Sequence, residues 1–301
     1  MDQLPRLQKV TFSVTFCDCQ NPSARFLRWT ANCHPLDPTA LTSGRPFLDD
    51  LVSKGRHHFT TAEAVAALGS SLVATRAVLR RLKARGELAS PLRSFHVILP
   101  PEYRRLGCLP PDQFVHQVMH YLDLTYYVAL LSAAELHGAA HQRPQAFQVM
   151  VESPLRAIEC GSVRMQFFVR QDLRRTPTLE KNTPRGPIRV ATAEATALEL
   201  VGYAGQCGGL DHVASVLAEL APAIDPTKLV ETSAVCPTVW VQRLGYLLDQ
   251  IEHPQLADAL VPSVAERSRQ AVPLQPSASS TGAPRSARWN LVVNAEVTRE
   301  P

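Results

Sequence analysis

The chain has 301 residues, of which 45% are hydrophobic and 19% are charged, so a wholly disordered protein is excluded. Its formal net charge is +4, its mean hydropathy is −0.07, and no apolar run approaches the roughly 18 residues of a membrane span. We therefore predict no membrane partner. The seven cysteines are an odd number in a chain without a recognisable export signal, which predicts reduced thiols in a cytoplasmic protein.

Both ends of the chain are predicted to be irregular. Residues 1–45 read as an N-terminal extension, for which a start codon placed too far upstream is the alternative explanation. Residues 269–301 are rich in Ser, Ala, Pro and Arg, which predicts a flexible tail. The extension contains residue types that bind zinc, but their spacing matches no zinc motif, so we predict no metal site. These residues are Cys17, Cys19, Cys33 and His34.

Residues 54–110 form a compact basic segment with ten Lys or Arg and three Asp or Glu, a net charge of +7. A charge of this density is the electrostatic footprint of a nucleic-acid-binding surface. A solvated basic face without a ligand has the same composition. The order of elements within the segment therefore has to decide between the two interpretations.

Helices dominate the first half of this segment. A helix is predicted within residues 47–59, and Thr60 with Glu63 has the spacing of a capping box that starts a second helix. A third helix is predicted to start at Ser70 or Ser71, which can cap it. A glycine follows each predicted helix, where a left-handed backbone ends helices easily.

The third helix has two distinct faces. Arg76, Arg80 and Lys83 recur at i, i+4 and i+7 on one face, and Ser71 and Thr75 lie at its tip. Hydroxyl and cationic side chains contact phosphates and base edges, so we predict that these five residues contact DNA. The apolar positions should face the core on another side of the helix, and these positions are Leu72, Val78, Leu79 and Leu82.

Two short strands around a turn follow the third helix. Apolar residues alternate in the second strand, although Ile98 breaks a clean polar face. Arg93 lies in the turn and is a further predicted DNA contact. Short helix, turn, basic helix and basic-tipped hairpin make a winged helix-turn-helix over residues 46–105, whose second helix enters the major groove.

Residues 111–268 are predicted to form a second domain, so the fold class is α+β. A winged helix-turn-helix precedes a mixed α/β C-terminal domain with a small sheet and a helical end. Residues 143–189 carry nine Lys or Arg, which fits a second phosphate-contacting surface, a patch for an acidic partner, or a solvated sheet face. The period-two stretches predict strands at 146–152, 162–170 and 187–192, and helical patterns cover PPDQFVHQVMHYLDL, YYVALLSAAELHG and most of 193–260.

Motifs of catalysis are scarce in the sequence. No P-loop, dinucleotide, metalloprotease or esterase motif occurs, so we predict neither enzymatic activity nor a cofactor. Glu152 and Asp172 leave a metal-dependent DNA-processing nuclease as a minor alternative. Glu135 and His137 are two positions apart on a predicted helix and do not face each other, so we interpret them as capping or surface residues.

Three segments of the chain resemble the AbiEi family of bacterial antitoxins, namely residues 59–91, 95–115 and 126–151. The stretch YYVALLSAAELHGAAHQ is the most specific of these, because it joins an aromatic pair to a small-residue helix and a histidine–glycine stop. A weaker similarity extends the resemblance to roughly residues 46–260. The family has no shared catalytic motif to transfer to positions in this chain.

The resemblance implies an antitoxin encoded beside a nucleotidyltransferase-type toxin, in the type IV abortive-infection systems used for phage defence. It implies that the winged helix binds operator DNA and represses the pair's own promoter, and that the C-terminal domain neutralises the toxin. Direct binding of the toxin and the oligomeric state are left open. A stand-alone winged-helix regulator, whose C-terminal domain binds an effector or dimerises, is the alternative.

Overall fold

The computed structural model describes residues 44–139 and 144–298. The predicted N-terminal extension lies outside these residues except for its last two positions, and so do its four candidate zinc ligands. Within the described part, no single helix is long and apolar enough to cross a membrane. The helices Thr61–Leu68 and Leu72–Ala84 together have the length and apolar composition of a membrane span, but the chain bends by 108° between them.

The N-terminal part combines helices with a three-stranded antiparallel sheet. Its elements are α1 (Arg45–Ser53), β1 (His58–Thr60), α2 (Thr61–Leu68), α3 (Leu72–Ala84), β2 (Leu88–Leu92) and β3 (Phe95–Ile98). The strand order is β1–β3–β2. The capping box predicted between Thr60 and Glu63 is confirmed, and Ser71 caps α3. Both caps satisfy backbone N–H groups that the first turn of a helix leaves without partners.

The hairpin of β2 and β3 is buried on both of its faces. Leu88 and Ile98 pack with the helices in the core of the N-terminal part. Phe95 and Val97 point to the opposite side and belong to the larger core of the C-terminal part. Ile98 therefore interrupts the expected polar face because that face is covered as well. The two parts belong to one compact unit.

The C-terminal part contains a six-stranded mixed sheet, which is larger than the small sheet predicted. Its strands are β4 (Tyr126–Val128), β5 (Phe147–Val151), β6 (Ile158–Cys160), β7 (Val163–Val169), β8 (Thr178–Thr183) and β9 (Gly186–Ala191). They lie in the order β6–β7–β5–β4–β9–β8, with β5–β7 and β4–β9 parallel. The buried strand β4 was assigned to a helix by its sequence pattern, because a short apolar run fits either element.

Seven helices accompany the sheet in the described C-terminal part. They are α4 (Val115–Tyr121), α5 (Leu130–Leu136), α6 (Ala193–Gly202), α7 (Leu210–Leu220), α8 (Pro226–Ala234), α9 (Thr238–Gln250) and α10 (Pro254–Arg267). Helix α6 is central, because every residue from Ala193 to Val201 is buried and it contacts α5, α7, α8 and α9. Its burial on all sides explains why it carries no polar stripe.

Residues 269–298 contradict the prediction of a flexible tail. They form three short strands, β10 (Val272–Pro273), β11 (Arg285–Ser286) and β12 (Leu291–Val292). Trp289 is 1% exposed and lies on Gly245 of α9, where a Cβ atom would come within 2.1 Å of the ring. Its Nε1 donates a hydrogen bond to Asp249 Oδ2 at 2.6 Å. One buried aromatic side chain thus anchors a segment whose average composition is that of a linker.

Replacing Trp289 with alanine is expected to lower the free energy of unfolding by about 3–5 kcal/mol, because the change removes a buried ring and leaves a cavity. Urea denaturation of the full chain measures this loss. Ser277 is exposed in the same segment, so Ser277→Ala should change the stability by less than about 0.5 kcal/mol. Equal stability of the two variants would mean that the segment is not docked.

Candidate nucleic-acid interface

Four of the predicted DNA contacts meet around one cleft. Arg76, Arg80 and Lys83 are exposed along α3, and Arg93 extends from the turn between β2 and β3. The cleft between them has a volume of about 360 Å³. We call these four residues and the space between them the basic cleft. Its remaining lining residues are Thr61, Leu79, Ser90, Ser94 and His96.

The positive charge of the basic cleft is not compensated by neighbouring carboxylates. Within the described residues, none of the four cations of the basic cleft forms an ion pair with a carboxylate. By contrast, Arg56 elsewhere in the N-terminal part is 2.7 Å from Glu63, and Lys54 is 2.7 Å from Asp50. Like charges around one cleft repel each other and attract polyanions, of which the phosphate backbone of DNA is the most common.

The two hydroxyl residues predicted at the tip of α3 differ in exposure. Ser71 is exposed, and its Oγ accepts a hydrogen bond from the backbone N–H of Ala74 at 3.2 Å. Thr75 is completely buried, with its hydroxyl 2.8 Å from Ser70 Oγ. The prediction that Thr75 contacts DNA is therefore wrong, since it has no surface to offer. Its position falls on the buried stripe with Val78, Leu79 and Leu82.

The first turn of α3 also departs from the prediction for its apolar residues. Leu72, expected in the core, is 44% exposed, and its neighbour Val73 is 77% exposed. The buried stripe of α3 starts only at Thr75. The helix therefore presents an apolar tip to the surface, immediately before its cationic face.

His96 is a buried polar residue that lines the basic cleft, and no motif in the sequence singles it out. Its Nε2 is 2.9 Å from Thr61 Oγ1 on α2, and its Nδ1 is 2.9 Å from Ser90 Oγ on β2. Burial, with a smaller contribution from the positive charge of Lys83, lowers the pKa of His96 to about 4. The ring is therefore neutral at pH 7 and ties α2 and β2 to β3 without adding charge to the cleft.

The second basic stretch, residues 143–189, contributes less surface charge than its composition implied. Arg170 is buried, and the Arg185 Nε donates to Gln113 Oε1 at 2.8 Å. Lys181 donates to the backbone oxygen of Leu136. Arg174 is exposed and pairs with Glu152 at 3.1 Å. Several of these cations therefore hold elements of the C-terminal part together.

A buried ion pair lies inside the C-terminal part. Arg170 Nη1 is 2.5 Å from Glu199 Oε1, and the Tyr127 hydroxyl donates to the same carboxylate oxygen at 2.6 Å. Burial raises the pKa of Glu199 to about 7, against the opposing effect of Arg170. The Arg170 guanidinium also lies over the ring of Trp240 on α9, 5.4 Å from its centroid. The cluster connects β7, β4, α6 and α9.

The residues of the minor nuclease alternative are not arranged as a metal site. Glu152 is bound to Arg174, and no group of three or more His, Cys, Asp or Glu that fits a metal ion occurs within the described residues. His137 follows α5, and its Nε2 is 2.8 Å from the backbone oxygen of Ala191. This position agrees with its interpretation as a capping residue.

Comparison with known proteins adds a family for the C-terminal part. Residues 127–250 match the family model of the AbiEi antitoxin C-terminal domain. This segment of the chain is therefore similar to an AbiEi antitoxin domain. The matched residues run from β4 to the end of α9 and include the buried Arg170–Glu199 pair. The resemblance inferred from the sequence is thus confirmed for this segment, and the AbiEi antitoxin family is regulatory rather than catalytic. The basic cleft lies outside the matched residues.

The fold is also similar to solved structures. The crystal structure of the RV2827C protein from Mycobacterium tuberculosis superposes with a TM-score of 0.63 at 16% identity, covering 83% of this chain and 91% of that chain. An antigenic nucleotidyltransferase-like protein from Paracoccidioides brasiliensis reaches a TM-score of 0.33 at 12% identity, over 50% of this chain and 89% of that one, which is too low to carry an argument. No curated protein matches the chain.

Lowering the pH from 7 to 5 is expected to destabilise the wild-type protein through His96. The unfolded chain binds a proton at this position below pH 6.5, whereas the folded chain does so only near pH 4. The contribution of His96 is therefore complete above pH 6.5 and is lost as the pH falls towards 4. Between pH 7 and pH 5 this loss amounts to about 2 kcal/mol.

Urea denaturation at the two pH values measures the effect, with His96→Gln as the comparison. Glutamine keeps a hydrogen-bonding side chain but does not titrate, so the stability of the variant should change less with pH by about that amount. Burial also lowers the pKa of His57 and His58, and these residues remain in both proteins. Equal losses in the two proteins would contradict the assignment.

Proposed function

We propose that this chain is the antitoxin and transcriptional autoregulator of a toxin–antitoxin pair. Residues 46–105 bind operator DNA through a winged helix-turn-helix, and residues 111–268 neutralise a nucleotidyltransferase-type toxin. One observation carries the proposal above all: four cations that have no carboxylate partner among the described residues surround a cleft, in a chain that also matches an AbiEi antitoxin domain. The mechanism is stoichiometric binding, and no cofactor is involved.

The order of elements in the N-terminal part supports DNA binding. A winged helix is expected to contain a helix, a strand, two further helices and a hairpin, in that order. The N-terminal part has this order, and its first strand pairs with its last. In that arrangement α3 is the recognition helix and the β2–β3 turn is the wing. Three cations on α3 and Arg93 in the wing are then placed to contact phosphates on either side of a groove, and Ser71 lies where α3 approaches the bases.

The AbiEi domain supports the antitoxin half of the proposal. Its presence favours a toxin partner over a stand-alone regulator, because an antitoxin domain without a toxin has nothing to oppose. The resemblance described above implies a nucleotidyltransferase-type toxin encoded beside this chain. Neutralisation is assigned to the C-terminal part because the match lies there, with either direct contact or chemical modification of the toxin as its route.

Replacing Arg76 and Arg80 with alanine is expected to weaken binding to a DNA duplex taken from upstream of the chain's own gene. Each phosphate contact contributes about −0.9 to the slope of log K against log salt concentration, so the slope of the double variant should be less steep by about two. Fluorescence anisotropy titrations between about 50 and 200 mM salt measure this slope.

The matched control removes the same charge elsewhere. Arg156 and Arg269 are both exposed and lie outside the basic cleft, so Arg156→Ala with Arg269→Ala should leave the slope close to that of the wild type. If both double variants weaken binding equally, net charge alone explains binding. An affinity that does not change with salt would contradict phosphate contacts altogether.

Growth rescue tests the antitoxin function in the same variants. Expression of the neighbouring toxin-like gene alone should stop growth, and co-expression of the full chain should restore it. The Arg76→Ala, Arg80→Ala variant should restore growth equally well while failing to repress its promoter. A harmless neighbouring gene would favour a stand-alone regulator, and loss of rescue at normal protein level would contradict the division of roles.

The full chain is the right protein for this experiment. A fragment of residues 111–268 would lack Phe95 and Val97 of the hairpin and Trp289 of the C-terminal segment, all of which are buried in the core of the C-terminal part. Its failure to rescue growth would report on folding rather than on function.

A further inference from the structure

The most exposed large apolar side chain in the described part of the protein lies at the tip of α3. Val73 is 77% exposed, whereas its neighbour Leu72, at 44%, is as exposed as other surface apolar side chains such as Val169 at 43%. Both residues lie in the first turn of a helix of 13 residues. Their position, directly before the cations of α3, is what makes these two side chains candidates for contact with a ligand of the basic cleft.

Val73 belongs to the same face of α3 as the cations. At about 100° per residue, Val73 lies within about 20° of Arg80 and about 60° of Arg76 around the helix axis. It precedes Arg76 by three positions, or about 4.5 Å along the axis. The apolar tip therefore continues the cationic face of α3, and a partner that occupies the basic cleft reaches Val73 as well.

The surroundings of Val73 determine the chemistry of that partner. The exposed cations Arg76 and Arg80 follow it on the helix, and no carboxylate compensates them within residues 44–139 and 144–298. A purely apolar protein surface would not interact favourably with Arg76 and Arg80. DNA offers phosphates to these cations and also an apolar group. That group is the C5 methyl of thymine, which lies in the major groove and is contacted by apolar side chains.

We infer that Val73, flanked by Leu72, is a specificity residue that recognises the C5 methyl group of thymine in the operator. This inference rests on the proposed DNA binding and adds to it the identity of a base. The cations of the basic cleft set the affinity for any sequence, and Val73 adds a preference that depends on one methyl group. Ser71, which caps α3, accepts a hydrogen bond from the backbone N–H of Ala74 and keeps its hydroxyl hydrogen for a further contact.

The test starts by selecting duplexes that bind the purified full chain from a random-sequence DNA library. Each thymine of the selected duplex is then replaced singly by uracil, which removes the methyl group and keeps base pairing. At one or two positions the affinity of the wild type should fall about fourfold, the equivalent of about 0.8 kcal/mol for one buried methyl group. Val73→Ala should bind the thymine duplex more weakly and lose its sensitivity to uracil at those positions.

Val52→Ala is the matched control, because Val52 is an exposed valine on α1 that does not line the basic cleft. It should keep the uracil sensitivity of the wild type, and thermal melting should show that both variants are folded. A wild type that binds its selected duplex with no uracil effect, or a selected site without thymine, would overturn the inference and leave the proposed DNA binding intact.

Three further outcomes separate this inference from the proposed function. If no sequence is enriched and no duplex binds, the proposed DNA binding fails and the inference fails with it. If Val73→Ala loses toxin neutralisation in the growth assay while uracil has no effect, the apolar tip contacts a protein, and the thymine assignment is overturned. Thymine sensitivity that persists in Val73→Ala also overturns it, because another residue then makes the contact.

Discussion

The β2–β3 hairpin is the element on which the rest of the structure depends, because it belongs to two cores at once. Leu88 and Ile98 on one face complete the core of the N-terminal helices, and Phe95 and Val97 on the other face enter the core of the C-terminal part. A strand covered on both sides holds its neighbours rigidly. The hairpin thereby fixes the orientation of the basic cleft relative to the AbiEi domain.

The basic cleft follows from this arrangement. Helix α3 buries the stripe that starts at Thr75 and so must expose Arg76, Arg80 and Lys83. Arg93 joins them because the turn of the hairpin lies beside α3, and the Tyr121 hydroxyl of α4 donates to the backbone oxygen of Arg93 at 3.3 Å. Helix α4, which directly precedes the residues matched to the AbiEi domain, thus contacts the turn that carries Arg93.

Inside the AbiEi domain, charge serves cohesion as well as surface chemistry. The Arg170–Glu199 pair and the Tyr127 hydroxyl connect β4 and the end of β7 to α6, which is buried from Ala193 to Val201. Removing one partner of a buried ion pair leaves the other charge without compensation, which is costly. Because Arg170 is buried in this pair, the number of arginines in residues 143–189 overstates the cationic surface of the domain.

The sequence by itself determined the local features, because these depend on neighbours in the chain. The capping box at Thr60, the cationic spacing of Arg76 and Arg80, and the resemblance of residues 126–151 to AbiEi antitoxins were readable without coordinates. Only the tertiary structure decided which side of a residue is covered. It buried Thr75, exposed Val73 and docked Trp289 onto Gly245, since burial depends on elements that are distant in the chain and periodicity records only adjacent residues.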